Sequence, residues 1–250
     1  MYAAERQEQI LARARTLGRV EVATLAKELA VTPETIRRDL SALEKAGLLR
    51  RAHGGAIPVE RLTSFEPEIT SRKTIMAAEK ARIARAALDE IPDRGSIFIE
   101  AGSTPGALAE LLPDRPRTVV TTGLSIAMAL TTRPRLTVLM VGGRIRGRTL
   151  AAVDDWAIRD LSGVRVDVAF LGTNGFSAED GLTTPDVAEA AVKRAALRIG
   201  RRTILLADHS KFGVASLCRY GDLADLDLLI TDELPAGAAE TLPDVEVRQT

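Results

Sequence analysis

The sequence predicts an α/β chain in two parts: three short helices closed by a small β-hairpin, then a mostly parallel α/β sheet. Three observations predict it. Apolar residues recur at helical spacing through the first 46 residues. A Gly54-Gly55 pair then sits inside a short basic stretch, the mark of a tight hairpin. Behind residue 72, short apolar runs alternate with helical patterns, as expected of strands buried on both faces and joined by crossover helices.

Each element follows from its residues. Ile10, Leu11 and Leu17 give the apolar spacing of a first helix over 5–16, and Val22, Leu25, Ala26 and Leu29 repeat it over 21–29. Thr32 suits an N-cap and Pro33 a first helical residue, so a third helix is expected from about 33 to 46, stopping at Gly47. Residues 48–57 form the hairpin and complete a first domain, 1–57. Pro58 and Pro67, with few apolar anchors, make 58–72 a linker. A second domain fills 73–250. Its strands are expected at 96–101, 118–122, 136–141, 166–172, 203–207 and 226–231. Its helices are expected at 74–91, 105–112, 124–132, 152–161 and 186–200.

Composition excludes several classes. The hydrophobic fraction of 46% is ordinary for a packed core, and the 34 Lys+Arg balance the 34 Asp+Glu. The balance hides a split: residues 1–57 carry ten basic and seven acidic side chains, so the remainder is net acidic. Cys218 is the single cysteine and His53 and His209 the two histidines, so no metal site and no cofactor are expected. No apolar run reaches the ~20 residues of a membrane span, and the first residues lack a signal-peptide core. A cytoplasmic location follows as the expectation. Trp156 is read as packing and Cys218 as a buried thiol. His209 is left between a pocket and a surface or capping role.

On the third helix, Ile36, Leu40 and Leu43 share one arc. Glu34, Arg38, Ser41 and Lys45 take the opposite arc, with Thr35 and Arg37 on its flanks. That outward face suits the DNA major groove, where arginine can bond a guanine edge and threonine a thymine methyl or a phosphate. Arg50, Arg51 and His53 in the hairpin are candidates for phosphate contacts, which fix register without reading sequence. The stretch "TIRRDLSALEKAGLLRRAHGGA", Thr35 to Ala56, resembles the signature of the DeoR-type bacterial transcriptional repressors. The resemblance implies a winged helix-turn-helix, with 33–46 as recognition helix and 48–57 as wing. Thr32, Glu34, Thr35, Arg37, Arg38, Ser41, Arg50, Arg51, His53 and Gly54 are the candidate DNA-contacting residues.

In the second domain, "IFIEAGSTPGAL" runs from a strand through Gly102-Ser103-Thr104 into a helix at Pro105. Backbone N–H groups at such a start can hold an anion, and two hydroxyls can add hydrogen bonds. Other expected strand ends carry Thr121-Thr122, Gly142-Gly143 with Arg144, Asn174-Gly175, and Lys211, while Lys193 lies on a helix. Together they suggest a polar pocket along the C-terminal edge of the sheet. The resemblance extends over 73–231, which is similar to the sensor domain of the same repressors, of a fold resembling ribose-5-phosphate isomerase. It implies a phosphorylated sugar as effector, with the phosphate at Gly102, Ser103 and Thr104 and Lys193 near the ligand. Glu100, Thr122, Gly143, Arg144, Asn174 and Lys211 complete the candidate effector set. Glu100 and Thr122 depart from the Asp and Asn common in that family, which bears on which sugar fits.

These readings converge on a ligand-released repressor of a carbohydrate operon, at least dimeric because helix-turn-helix proteins usually read two half-sites, and either a dimer or a tetramer. Two alternatives stay open. One is a sugar-phosphate isomerase using Asp167, Glu100 or Glu189 as acid or base near Lys193. The other is a nucleoid protein that binds DNA without sequence preference.

Overall fold

The computed structural model describes residues 3–17, 20–52, 54–58, 66–242 and 244–250. The chain divides into two compact units, Met1–Pro67 and Glu68–Thr250.

The first unit holds α1 (Ala3–Leu17), β1 (Val20–Glu21), α2 (Val22–Glu28), α3 (Pro33–Lys45), β2 (Leu49–Ala52) and β3 (Gly55–Pro58). Ile10, Ala14, Leu25, Ile36, Leu40, Leu43 and Leu49 meet in its core. The Thr32 hydroxyl caps α3 by accepting from the Thr35 N–H at 3.2 Å, and Pro33 occupies the first turn, where no N–H is needed. Gly47, at φ +73°, ends α3 in the left-handed conformation that glycine tolerates best. The hairpin has a third strand that the sequence reading missed: β1 pairs antiparallel with β3, Val20 opposite Ala56 and Glu21 opposite Gly55. A Cβ on Gly55 would lie 2.0 Å from the Val20 carbonyl oxygen, so only glycine permits this approach.

The linker expected over 58–72 needs correction at both ends. Pro58 belongs to β3, and helix α4 (Ile69–Thr74) occupies its last residues. Ile69 is buried, an anchor that one isoleucine between polar residues did not announce. Residues 59–65 lie outside the described residues.

The second unit continues with α5 (Ala77–Ala87), β4 (Ser96–Ile99), α6 (Ser103–Leu111), β5 (Arg117–Thr121), α7 (Leu124–Leu130), β6 (Leu136–Met140), β7 (Arg144–Arg146), β8 (Ala151–Val153) and α8 (Asp154–Ser162). Then come β9 (Val166–Leu171), β10 (Gly175–Ser177), β11 (Gly181–Thr184), α9 (Val187–Ala196), β12 (Gly200–Leu206), β13 (Cys218–Gly221), β14 (Leu228–Thr231) and β15 (Glu246–Gln249). Seven parallel strands form the main sheet in the order β15-β14-β12-β9-β4-β5-β6. Alternate residues of its strands feed two cores. Ile97, Ile99, Val168, Phe170, Ile204 and Leu206 pack with α5, α6 and α7. Phe98, Ala169, Leu171, Leu205 and Leu229 pack with α8 and α9.

From β4 the chain travels outward to β5 and β6, then returns to lay β9 on the other side of β4. The crossovers diverge between β4 and β9, and a crevice opens at the carboxyl ends of strands at such a point. All six strands read from sequence are present, shifted by up to three residues at their ends. Two short pairings, β7-β8 and β10-β11-β13, and the edge strand β15 escaped, being too short or too polar for a periodicity reading.

Candidate functional site

The outward face of α3 is built as its sequence suggested. Glu34, Arg37, Arg38 and Ser41 are exposed and Thr35 is half-buried. The Arg37 guanidinium donates to Glu34 at 3.3 Å, Arg38 lies 3.9 Å from the same carboxylate, and the Ser41 hydroxyl donates to the Arg37 carbonyl at 2.8 Å. Exposed pairs of this kind are weak, so phosphate or base edges can displace them. Thr32 is spent on its capping bond, its hydroxyl also 2.9 Å from that of Thr35. Arg50 and Arg51 stand in β2 opposite Ile57 and Ala56, and Gly54 makes the turn at φ +74°. His53 lies outside the described residues.

Asp39 was not singled out by the sequence reading, yet it orients this helix. It is buried on the core side of α3 and accepts from Arg6 at 2.6 Å and from Gln7 at 3.0 Å, both on α1. The hydrogen bond to Asp39 raises the Arg6 guanidinium above its ordinary value. The signal was there to read: a charge between Ile36 and Leu43 on the apolar stripe needs a partner.

At the diverging point of the main sheet lies a small polar cleft open to solvent. The turn after β4 supplies Gly102, Ser103, Thr104 and Pro105, and the turn after β9 supplies Gly172, Thr173 and Asn174. Helix α9 adds Glu189 and Lys193, the β7–β8 turn adds Thr149, and α4 adds Arg72. Helix α6 begins at Ser103, two residues earlier than expected. Its first backbone bond runs from the Gly106 N–H to the Gly102 carbonyl. Helix geometry leaves the Ser103 and Thr104 N–H groups without an intrahelical acceptor, facing the positive end of the dipole. Glycine at 102 and 172 leaves room for the Pro105 ring, which a Cβ at either position would approach to 3.2 Å.

The charged groups of the cleft are held by their neighbours. Lys193 Nζ donates to Glu100 Oε2 at 2.8 Å and to the Gly172 carbonyl at 3.0 Å, and it sits 5.2 Å from the centre of the Tyr220 ring. Glu100 Oε2 also accepts from the Gly172 N–H at 2.8 Å. Burial, with Glu100 nearby, pushes the Tyr220 phenol well above its ordinary value, so it remains a donor, to the Gly172 carbonyl at 3.1 Å. Glu189 accepts from Arg146 at 3.1 Å and from the Thr149 hydroxyl. Arg146 also bonds Asp186 at 3.0 Å.

Comparison with known proteins matches two families. Residues 6–61 match the DeoR-like helix-turn-helix domain, and residues 75–233 match the DeoR C terminal sensor domain. The chain belongs to the DeoR family. Among relatives of this DeoR-family chain, a glycerol-3-phosphate regulon repressor of Escherichia coli K12 is 32% identical, covering 92% of this chain and 91% of the relative. A putative aga operon transcriptional repressor of Escherichia coli O157:H7 is 33% identical over 95% and 90%. The regulator GlpR of Haloferax volcanii is 36% identical over 93% and 91%. Among solved structures, ribose 5-phosphate isomerase A of Methanocaldococcus jannaschii is similar at 16% identity and a TM-score of 0.41, over 55% of each chain. The relatives are named as transcriptional regulators, and this DeoR-family chain is likewise a regulator rather than an enzyme.

Several expected residues lie elsewhere in the DeoR-family sensor unit. Arg144 points away from the cleft and pairs with Asp154 at 2.6 Å on the surface. Gly143, at φ +126°, serves a tight turn, where a Cβ would meet the Val153 carbonyl at 2.6 Å. Lys211 sits in a short turn after β12, beside Asp208. Glu100 and Thr122 border a smaller recess behind Lys193, and Thr122 accepts from the Ala101 N–H at 3.1 Å. Asp167 lies at the opposite end of the sheet, bound to the Ser96 N–H at 2.8 Å. His209 bonds Asp232 at 2.6 Å. Trp156, read as packing, is 68% exposed, and Cys218 is half-buried. The sequence reading missed Arg72, Thr149 and Thr173 in the cleft, and weighed Glu189 only as a catalytic acid or base. Arg72 lay hidden in the supposed linker, and Thr149 in an unrecognised hairpin turn.

Among the described residues no helix is long and apolar enough to cross a membrane, and no group of metal-ligating side chains gathers.

Proposed function

We propose that this chain is an operator-binding repressor of a carbohydrate operon, released from DNA when a phosphorylated sugar occupies the cleft of its second unit. In this reading residues 1–57 read DNA, 73–250 sense and oligomerise, and the protein works in the cytoplasm as a dimer or tetramer. The candidate DNA contacts remain Glu34, Thr35, Arg37, Arg38 and Ser41 on α3, with Arg50, Arg51, His53 and Gly54 in the wing and Thr32 holding the helix start. The effector contacts are Gly102, Ser103, Thr104, Asn174 and Lys193.

One observation carries the effector half. The N-terminus of α6, two threonine and serine hydroxyls, and the cations Arg72 and Lys193 border one polar cleft where strand crossovers diverge. Unsatisfied helix N–H groups with flanking cations suit a phosphate, and the bound amide and hydroxyls of Asn174, Thr173 and Thr149 suit a polyol. The glycerol-3-phosphate in the names of two relatives agrees with that chemistry. A coupling of ~1–3 kcal/mol between cleft and operator would change DNA affinity about 5–150-fold.

Fluorescence anisotropy tests the reading, using labelled DNA from upstream of the protein's own gene and its neighbours, with and without triose, pentose and hexose phosphates. Tight, sequence-specific binding that one sugar phosphate weakens is the expected result. Binding that no sugar phosphate alters would remove the effector half.

A further inference from the structure

We propose that the recess adjoining the cleft takes one uncharged hydroxyl of the effector, held between Glu100 as acceptor and Thr122 as donor. This pair restricts the effector to polyol phosphates whose other arm is neutral. The proposal rests on the effector reading above and narrows the class of ligand.

The recess lies at the carboxyl ends of β4 and β5. It shares Ala101, Glu189 and Lys193 with the cleft, so a group seated in it adjoins one seated at the start of α6. Its remaining walls are small and apolar, with Ala151 and Ala152 on β8 and Val192 on α9. A cavity volume of about 10 Å³ is that of a single water-sized group. A hydroxyl has that size, and a carboxylate or a phosphate does not.

Two polar groups border this space with bonding capacity unspent. Thr122 is 1% exposed and fixed on both sides: its carbonyl accepts from the Ala152 N–H at 2.8 Å and its hydroxyl from the Ala101 N–H at 3.1 Å. The preceding Thr121 hydroxyl donates to the Ile99 carbonyl at 2.6 Å and so secures the turn. Among the described residues the Thr122 hydroxyl proton goes to no acceptor. Glu100 is 3% exposed and spends Oε2 on Lys193 and on the Gly172 N–H, while Oε1 has no hydrogen bond among the described residues. A donor and an acceptor left unmatched in a protein interior call for a partner. A ligand hydroxyl donates to Oε1 and accepts from Thr122, matching both at once. An ammonium can only donate. A carboxylate or phosphate oxygen can only accept, and it would meet Glu100 Oε1 as one acceptor against another.

Calorimetry on the full chain tests this. The probes are glycerol 3-phosphate, ribose 5-phosphate and glucose 6-phosphate, each paired with the counterpart that bears a carboxylate: 3-phosphoglycerate, 5-phosphoribonate and 6-phosphogluconate. The wild-type protein should bind at least one neutral-armed probe about tenfold or more tighter than its carboxylate counterpart. Thr122→Val should weaken that probe about threefold to tenfold, the range for one neutral hydrogen bond, and Thr122→Ser should restore it. Inorganic phosphate, which has no arm to reach the recess, should bind wild type and Thr122→Val alike. Glu100→Gln should shrink the discrimination against the carboxylate counterpart. Thr122→Val leaves the Lys193–Glu100 pair intact, so the proposal is tested on it alone should Glu100→Gln fail to fold. Unchanged affinity for the neutral-armed probe in Thr122→Val would overturn the proposal and leave the effector cleft standing. Equal losses for that probe and for inorganic phosphate would assign Thr122 a structural role and overturn it as well. Wild-type protein that binds none of the phosphorylated probes would remove the effector reading, and this proposal with it.

Discussion

Lys193 Nζ lies 2.8 Å from Glu100 Oε2, with the two side chains only 6% and 4% exposed. The contact spans α9 and the end of β4, and the Gly172 backbone completes it from β9. Removing one partner leaves the other charged and buried. Lys193→Met should destabilise the second unit by about 3 kcal/mol, and adding Glu100→Gln should restore much of that loss. Denaturant unfolding of the single and double variants checks this. A double variant no more stable than Lys193→Met would mean that the pair is not what holds these elements together.

Arg38 is 82% exposed along its side chain on α3, with a loose contact to Glu34. Arg38→Ala should weaken operator binding by about 1–3 kcal/mol if it reads a base, while the second unit stays folded. If it meets a phosphate instead, the slope of log K against log salt should fall by about one unit. Unchanged affinity at matched salt would exclude Arg38 from the interface.

Asp39 fixes α3 to α1 through Arg6 and Gln7. Asp39→Asn keeps the size and loses the charge. It should lower the melting temperature of the first unit and weaken operator binding, with the second unit's transition unmoved. Differential scanning calorimetry beside anisotropy separates these effects. A variant with normal melting but weak binding would mean that Asp39 aims the helix without stabilising it.

Burial lowers the Lys80 ammonium to about 8 from its ordinary 10.5, partly opposed by Asp208. Between those two values the unfolded chain holds a proton that the folded chain has released. The Lys80 contribution to stability therefore rises as pH climbs from about 8 to 10.5, and below 8 the folded state carries the full cost of the buried charge. Comparing unfolding free energies at pH 7 and pH 10, wild type should gain about 2 kcal/mol more than Lys80→Met. Parallel pH curves for the two proteins would contradict this assignment.

The amphipathic helices and the apolar strands were legible because each announces itself by period. Ile97 and Ile99 on one face against Phe98 on the other is a pattern that any sheet buried on both sides must carry. The phosphate-like turn at 102–104 was legible because glycine and hydroxyl residues follow a strand directly. Arg72, Thr149 and Asp39 were not legible as site or scaffold residues, because their roles depend on partners 30 or more positions away. Arg144 and Lys211, which do not line the cleft, show the converse. A cation near a strand end reads the same whether it turns into a cleft or, like Arg144, to a surface carboxylate such as Asp154. Trp156 shows the limit of composition: a single indole on a helix gives no hint of which side it takes.

The last described strand of the first unit ends at Pro58, whereas the cleft draws on chain positions from Arg72 to Lys193. Protein synthesis delivers these in order. At ordinary elongation rates the interval between Pro58 and Lys193 is roughly ten seconds, during which a growing chain carries the helices and hairpin but not the sensor. A message broken within that interval would encode the three helices and their core without Lys193. On the proposed reading such fragments would carry the DNA-reading unit without the effector cleft, so intact translation would itself be a condition for reversible control.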